Sequence, residues 1–306
     1  KVAQLMTFGA TVISVQGSYE DTFELSKAAI DKWGWYNRNA AINPYLSEGK
    51  KTVSLEIMEQ LQWKAPDYIA ISVGDGCTIA GLWKGLKDLY AIGFIDKLPR
   101  LISAQAAGCC PLNRAIATGE DWYPMEENTL ADSIAVGVPR NADKALAAIR
   151  ESDGLVVNVT DEEIMAAQKL LGRTCGVFGE PAGVTGAAGL KKLCDEGKIG
   201  KDATVVSVVT GNGLKDVANA IAACGEPISR LYVCIIFSTI FSASSHCRAV
   251  CHIVAATSFS KIGSLLVLFS RIGIRICFPY TYRRINASFI FILSSYLPFR
   301  PQYSIF

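Results

Sequence analysis

Asp67-Tyr68-Ile69-Ala70-Ile71-Ser72-Val73-Gly74-Asp75-Gly76-Cys77-Thr78 decides how this 306-residue chain is read. The short apolar run after Pro66 predicts a strand buried on both faces of a parallel sheet. It stops in a loop of small residues, and residues 79–89 then place apolar side chains at helical spacing. Strand, small-residue turn and helix is the order in which open α/β sheets bind ligands, beyond the carboxyl end of a strand. Glycines let the backbone approach a ligand and turn its N–H groups inward, and the helix N-terminus adds positive potential. The loop reads as a cradle for a phosphate. Without a ligand it is an ordinary tight turn between strand and helix.

Outward from this loop the same grammar repeats. Residues 98–105, 154–159 and 203–209 are predicted strands, and 111–118 and 142–151 predicted helices. Thr160 and Glu163 have the spacing of a capping box at a helix start. Glu180-Pro181-Ala182-Gly183 opens a helix through Leu193, while residues 119–140 are polar and loop-like. Thr210-Gly211-Asn212-Gly213-Leu214-Lys215-Asp216 ends the last strand with small polar residues, so the strand ends at Gly74 and Thr210 are expected to line one crevice. On the N-terminal side, residues 10–15 read as a strand. Residues 18–33 read as an amphipathic helix with Phe23, Leu25, Ala28, Ala29 and Ile30 available for burial. The aromatic and amide-rich stretch from Gly34 to Tyr45 is a loop with many hydrogen-bonding groups, and Glu48-Gly49-Lys50-Lys51-Thr52 starts a helix reaching Gln62. Strands alternating with helices give an α/β fold with an open, largely parallel sheet and flanking helices.

Charge and cysteine usage narrow the function classes. Thirty Lys and Arg face 28 Asp and Glu, but residues 231–306 hold seven of the basic residues and no carboxylate. Residues 1–230 therefore carry 23 basic and 28 acidic residues, a net of −5 that gives no nucleic-acid footprint. Cys77, Cys109, Cys110, Cys175, Cys194 and Cys224 show no paired Cys-x-x-Cys spacing, so neither a zinc site nor a disulfide framework is signalled, and free thiols fit a reducing compartment such as the cytoplasm. Both histidines, His246 and His252, lie in the last 76 residues. The rest of the chain has none for a Ser-His triad or a His-ligated metal.

Three stretches taken with this loop resemble threonine synthase, one of the fold type II enzymes that use pyridoxal phosphate (PLP). They are Trp35 to Pro44-Tyr45 with Glu48 to Thr52, Glu180-Pro181-Ala182, and Thr210 to Asp216. The resemblance covers roughly residues 1–230 and implies a tryptophan synthase β-like fold, with two domains and the cofactor between them. On that pattern residues 1–33 are the end of the small domain and 34–230 the large PLP-binding domain. It implies conversion of O-phospho-L-homoserine and water to L-threonine and phosphate. Gly74, Asp75, Gly76, Cys77 and Thr78 match the loop around the PLP phosphate. Thr210 matches the position whose hydroxyl meets the pyridine nitrogen, or simply closes a strand-end turn. Asn43 and Glu48 fall in the block that shapes the substrate pocket, or belong to loop and helix-start architecture. A homodimer is expected of an intact family member.

The chain also departs from the family. The lysine that binds the cofactor aldehyde stands there in a Phe-Lys-Asp context, followed by Ser-Gly-Asn-Thr, and neither occurs here. Lys215 belongs to the Thr210 block, and Lys50, Lys51 and Lys84 read as solvated charges. The chain opens at Lys1 inside a helical pattern, as if its N-terminal part were missing, so no activity and poor solubility are expected of these 306 residues. Residues 231–306 match nothing in the family. None of their apolar runs reaches the ~18 residues of a membrane span, and they read as a non-native extension, with a membrane-associated tail as the alternative. Competing functions are a serine/threonine dehydratase or cysteine synthase relative, and a non-catalytic remnant.

Overall fold

In the computed structural model, residues 2–225 are described. The expectations for residues 231–306 lie outside the described residues. After α1 (Val2–Thr7) and α2 (Tyr19–Trp33) come α3 (Pro44–Gly49), α4 (Thr52–Gln60), β1 (Tyr68–Ser72) and α5 (Cys77–Ala91). They continue with β2 (Arg100–Ala106), α6 (Pro111–Thr118), α7 (Ala142–Glu151) and β3 (Leu155–Val159). The last elements are α8 (Asp161–Cys175), α9 (Pro181–Asp195), β4 (Val205–Ser207) and α10 (Val217–Cys224).

The strands form one sheet in the order β3-β2-β1-β4, every pair parallel. This is the α/β architecture expected from the alternation of patterns. β1 sits between β2 and β4, and Ile69 and Ile71 are fully buried. Each is worth about 1.5–3 kcal/mol of hydrophobic stabilisation. One apolar cluster unites α4, α5, α6 and α7 against one face of the sheet. A second unites α8 and α9 against the other. Within the buried layer, Asn113 of α6 (1 % exposed) donates to the carbonyls of Ser103 and Val157 and to Asn158 Oδ1, tying β2 and β3 to the helix.

Local signals explain most helix ends. Ser18 caps α2 and Thr160 caps α8, each in a reciprocal capping box with the residue three positions on. α9 approaches β1 because Gly186 has no side chain: a Cβ there would lie 3.1 Å from the Ile71 carbonyl carbon and the Ser72 nitrogen. Ser72 Oγ then accepts the Gly186 N–H at 2.9 Å.

Three expectations fail. Residues 10–15 form no strand; Ile13 is 74 % exposed, and the segment pairs with none of the four strands of the sheet, so its backbone hydrogen bonds are not completed there. On α2 only Phe23 is buried, while Leu25 and Ala28 face outward. The helix expected to begin at residue 48 is split: Asn43 caps the separate turn of α3, and α4 begins at Thr52.

Candidate active site

The sheet order reverses direction between β1 and β4. From β1 the chain moves to β2 and β3 on one side, and β4 is laid down on the other. Such a switch point opens a crevice past the strands' carboxyl ends. A cavity of about 210 Å³ lies there, lined by Ser72 and Gly74 to Ile79 on one side and by Ala182 and Thr210 on the other. A larger hollow of about 380 Å³ lies at the opposite, amino ends of β1 and β2. There Lys97 pairs with Asp67 at 2.8 Å and Arg100 with Asp153 at 2.8 Å, so its charges are already matched on an open surface. The switch-point cavity is the better candidate.

The Gly74–Thr78 loop has the features of an anion cradle. α5 starts at Cys77 with Gly76 as N-cap, and no side chain caps it, so the 15-residue helix directs uncapped N–H groups at the cavity. Gly76 holds φ at 83°, where an L side chain is strained, and a Cβ would also come within 2.6 Å of Ala145 Cβ. At Gly74 a Cβ would lie 3.0 Å from Ile134 Cα. The backbone is thus kept bare where a phosphate would rest. Cys77 is buried, and its thiol is held above its usual pKa by burial and then by the charge of Asp75. That keeps it a neutral thiol beside the cradle.

Thr210 is reached through a turn fastened to the start of α9. Glu180 N–H donates to the Gly211 carbonyl at 2.9 Å, and Gly213 N–H donates to the Phe178 carbonyl at 2.8 Å. Gly183 lies directly against Gly211, 2.7 Å from its nitrogen to the position of a Cβ. The Glu180-Pro181-Ala182-Gly183 segment therefore sets where Thr210 sits. Glu180 itself is 3 % exposed: one oxygen takes Lys215 Nζ at 3.3 Å, and Oε2 has no hydrogen-bond partner. The bare loop at one end and a hydroxyl at the other fit pyridoxal phosphate, an anion joined to a ring with one nitrogen. Here the cavity's donors match that pair of groups.

Asn43 and Glu48 do not line this cavity. Asn43 is buried as the α3 cap, accepting Tyr45 N–H at 3.0 Å and donating to Tyr36 Oη at 2.7 Å and to the Asn37 carbonyl. Glu48 joins Lys51 at 2.9 Å and Lys84 at 3.0 Å in a surface network that includes Asp88. Lys51 and Lys84 are the surface charges expected, but Lys50 is not. With Ala40, it carries the 34–52 stretch into the cavity lining. No local pattern marks Lys50: it is brought there by close packing on α5, where a Cβ on Gly81 would lie 2.6 Å from Lys50 Cβ. Ser133 and Ile134 also line the cavity, and they come from the loop that showed no pattern. Among the described residues there is no cluster of metal-ligating side chains, and no helix is long and apolar enough to cross a membrane.

Comparison with known proteins agrees with this geometry. The family described as pyridoxal-phosphate dependent enzyme matches residues 1–211. Threonine synthase of Methanosarcina acetivorans is 45 % identical over 229 residues, covering 74 % of this chain and 56 % of that protein. Threonine synthase of Methanocaldococcus jannaschii is 44 % identical over 230 residues, with the same coverage of 74 % and 56 %. The chain thus spans a little over half the length of these relatives. Among solved structures, maize serine racemase superposes with a TM-score of 0.58 at 22 % identity, over 79 % of this chain and 67 % of that one. Escherichia coli diaminopropionate ammonia lyase, in complex with an aminoacrylate-PLP azomethine, gives 0.60 at 19 % identity over 72 % and 61 %. These likenesses establish the fold as that of fold type II enzymes.

Proposed function

The chain belongs to the pyridoxal-phosphate-dependent enzyme family, and from that membership we propose that it is part of a threonine synthase, acting on O-phospho-L-homoserine and water to give L-threonine and phosphate. The observation that carries the reading is the single cavity lined by both the uncapped glycine loop and Thr210, in a chain 45 % identical to a protein of that name.

In this reading the backbone N–H groups of Gly74, Asp75, Gly76, Cys77 and Thr78 hold the cofactor phosphate, aided by the positive end of α5. Thr210 offers the ring nitrogen a neutral hydroxyl, which does not hold the ring protonated as a carboxylate would. Bound there, pyridoxal phosphate supplies an electron sink for charge that develops on the substrate carbons. Asn43 fixes the stretch that brings Ala40 and Lys50 to the cavity wall, and Glu48 steadies the α3–α5 surface beside it. The proposed contacts are those to phosphate and ring, since no lysine of the 306 residues stands in a Phe-Lys-Asp context. Residues 1–33 are assigned to a small domain and 34–230 to the large one. The site is proposed to work in the cytoplasm, in a homodimer.

Three measurements test the proposal. Equilibrium dialysis of the chain with pyridoxal 5'-phosphate is expected to retain cofactor at about one per chain, and the product of the complete gene to form threonine from O-phospho-L-homoserine. Absence of retention defeats the site. Retention with turnover of threonine but not of phosphohomoserine defeats the substrate. Thr210→Asp is expected to change the absorbance of the retained cofactor, and an unchanged spectrum counts against the role of Thr210.

A further inference from the structure

The cradle contains a carboxylate that a phosphate would meet as a like charge. In the structure the Asp75 carboxylate is engaged on both oxygens. Oδ2 accepts the Tyr19 hydroxyl at 3.0 Å, and Oδ1 accepts the Arg140 backbone N–H at 3.1 Å. The Asn141 N–H donates to the Asp75 carbonyl at 3.1 Å. These partners are themselves braced. The Arg140 side chain is 9 % exposed, donates to the Val138 carbonyl and pairs with Glu20. Its guanidinium lies over Phe23 at 3.9 Å and over Tyr19 at 5.3 Å. The first turn of α2 and the residues ahead of α7 therefore close on Asp75 together. Half-burial and the neighbouring Asp75 charge raise the Tyr19 pKa to about 12, so its phenol is a donor throughout the neutral range.

We propose that Tyr19 and Arg140 are positioning residues of the anion cradle: they hold the Asp75 carboxylate off the site, so that the loop meets an incoming phosphate with N–H groups and not with negative charge. This rests on the cofactor reading above, because it takes the cradle as a phosphate site. It extends that reading to α2, which contributes nothing to the cavity lining. The role is electrostatic as well as steric, and that separates it from a simple docking contact. If Tyr19 matters by restraining a charge, removing the charge removes the need for Tyr19.

The test is a double-mutant cycle on the full chain, with inorganic phosphate and pyridoxal 5'-phosphate as probes, read by titration calorimetry. Tyr19→Phe keeps the ring beside Arg140 and loses only the hydroxyl; it is expected to weaken both probes about fivefold, the scale of one ordinary net hydrogen bond. Asp75→Asn is expected to restore binding to within about twofold of wild type in the Tyr19→Phe background. Glu20→Gln loosens the same clasp through Arg140. It is expected to weaken binding about twofold, with the same rescue, and it serves if Tyr19→Phe does not fold. Unchanged binding in both Tyr19→Phe and Glu20→Gln overturns the inference and leaves the cofactor site standing. Weakening that Asp75→Asn fails to rescue also overturns it, since a structural contact is then enough. A wild-type chain that binds neither probe overturns the cofactor reading, and the inference with it.

Discussion

Glu180 and Gly211 occupy the same small space: the Glu180 N–H donates to the Gly211 carbonyl at 2.9 Å, and a Cβ on residue 211 would overlap the Glu180 carboxylate. Glu180 is buried and cannot swing into solvent, and Lys215 holds one of its oxygens. Thr210 is thus positioned by a neighbour that must lack a side chain.

Gly211→Ala is therefore expected to cost about 2–3 kcal/mol, the scale of overpacking a filled interior. For a folded unit of this size that is a fall of about 5–10 °C in Tm. Cofactor retention should fall with it, because Thr210 moves with residue 211. A melting curve that superposes on wild type would show that Glu180 can yield, and that the turn is not fixed from this side.

Asn113 carries a second buried polar commitment. Besides its three amide donations, its Oδ1 accepts Ser103 Oγ at 2.7 Å, and its backbone N–H donates to Gln105 Oε1 at 2.8 Å. Gln105 in turn donates to the Val73 carbonyl at 3.3 Å, one residue before the cradle. Asn113→Ala strands two strand carbonyls and a serine hydroxyl in a dry layer, and is expected to cost about 3 kcal/mol. In urea unfolding the midpoint should drop with the slope unchanged. A loss under about 1 kcal/mol would mean that water enters and replaces the amide.

How far these features were legible from sequence follows from their range. The capping box of Thr160 and Glu163 spans three residues and was readable directly. The strand at Tyr68–Ser72 and the turn after it were readable because an apolar run and its stop are local. Residues 10–15 looked like a strand for the same local reason, but a strand also needs a neighbour, which the segment's own sequence cannot supply. Leu25 and Ala28 failed likewise, since which face of α2 is covered depends on what packs against it. The bond from Tyr19 to Asp75 joins positions 56 residues apart, with no spacing rule to announce it. Asn43 reads in the sequence either as part of the block that shapes the substrate pocket or as helix-start architecture, and in the structure its polar groups cap α3 and hold the chain's own turn.

The cysteines give a prediction with a pH sign. Burial pushes the Cys109 thiol up to about 11 and raises those of Cys77 and Cys110 as well. At pH 8 only about one Cys109 in a thousand is then the reactive thiolate. Cys175, Cys194 and Cys224 are exposed. Iodoacetamide labelling read by peptide mass spectrometry should modify the exposed three first at pH 8. Labelling of Cys109 should rise as pH approaches 11 while the fold persists. Early modification of Cys109 at pH 8 would mean that the layer around β2 opens on the labelling timescale.

Gly74 and Gly76 lie two residues apart in one loop, yet they should respond differently to alanine. At residue 76 the new Cβ meets a strained φ of 83° and the Ala145 methyl at 2.6 Å, on a helix packed into the core. Neither can give, so Gly76→Ala is expected to cost about 2–4 kcal/mol, visible as a lowered Tm. At residue 74 the contact is Ile134 Cα at 3.0 Å, which belongs to the loop between α6 and α7. A loop can shift by a few tenths of an ångström, so Gly74→Ala should cost at most about 1 kcal/mol. It nevertheless adds a methyl group where Gly74 and Ile134 both face the cavity. Pyridoxal 5'-phosphate retention is therefore expected to fall about tenfold, the equivalent of about 1.4 kcal/mol, with the fold intact. Dialysis and melting measured on the same two samples separate the cases. If Gly74→Ala kept wild-type retention, the loop would be a turn and not a cradle. If both variants lost stability equally, the long loop would be as rigid as the helix, and the distinction drawn between the two glycines would be wrong.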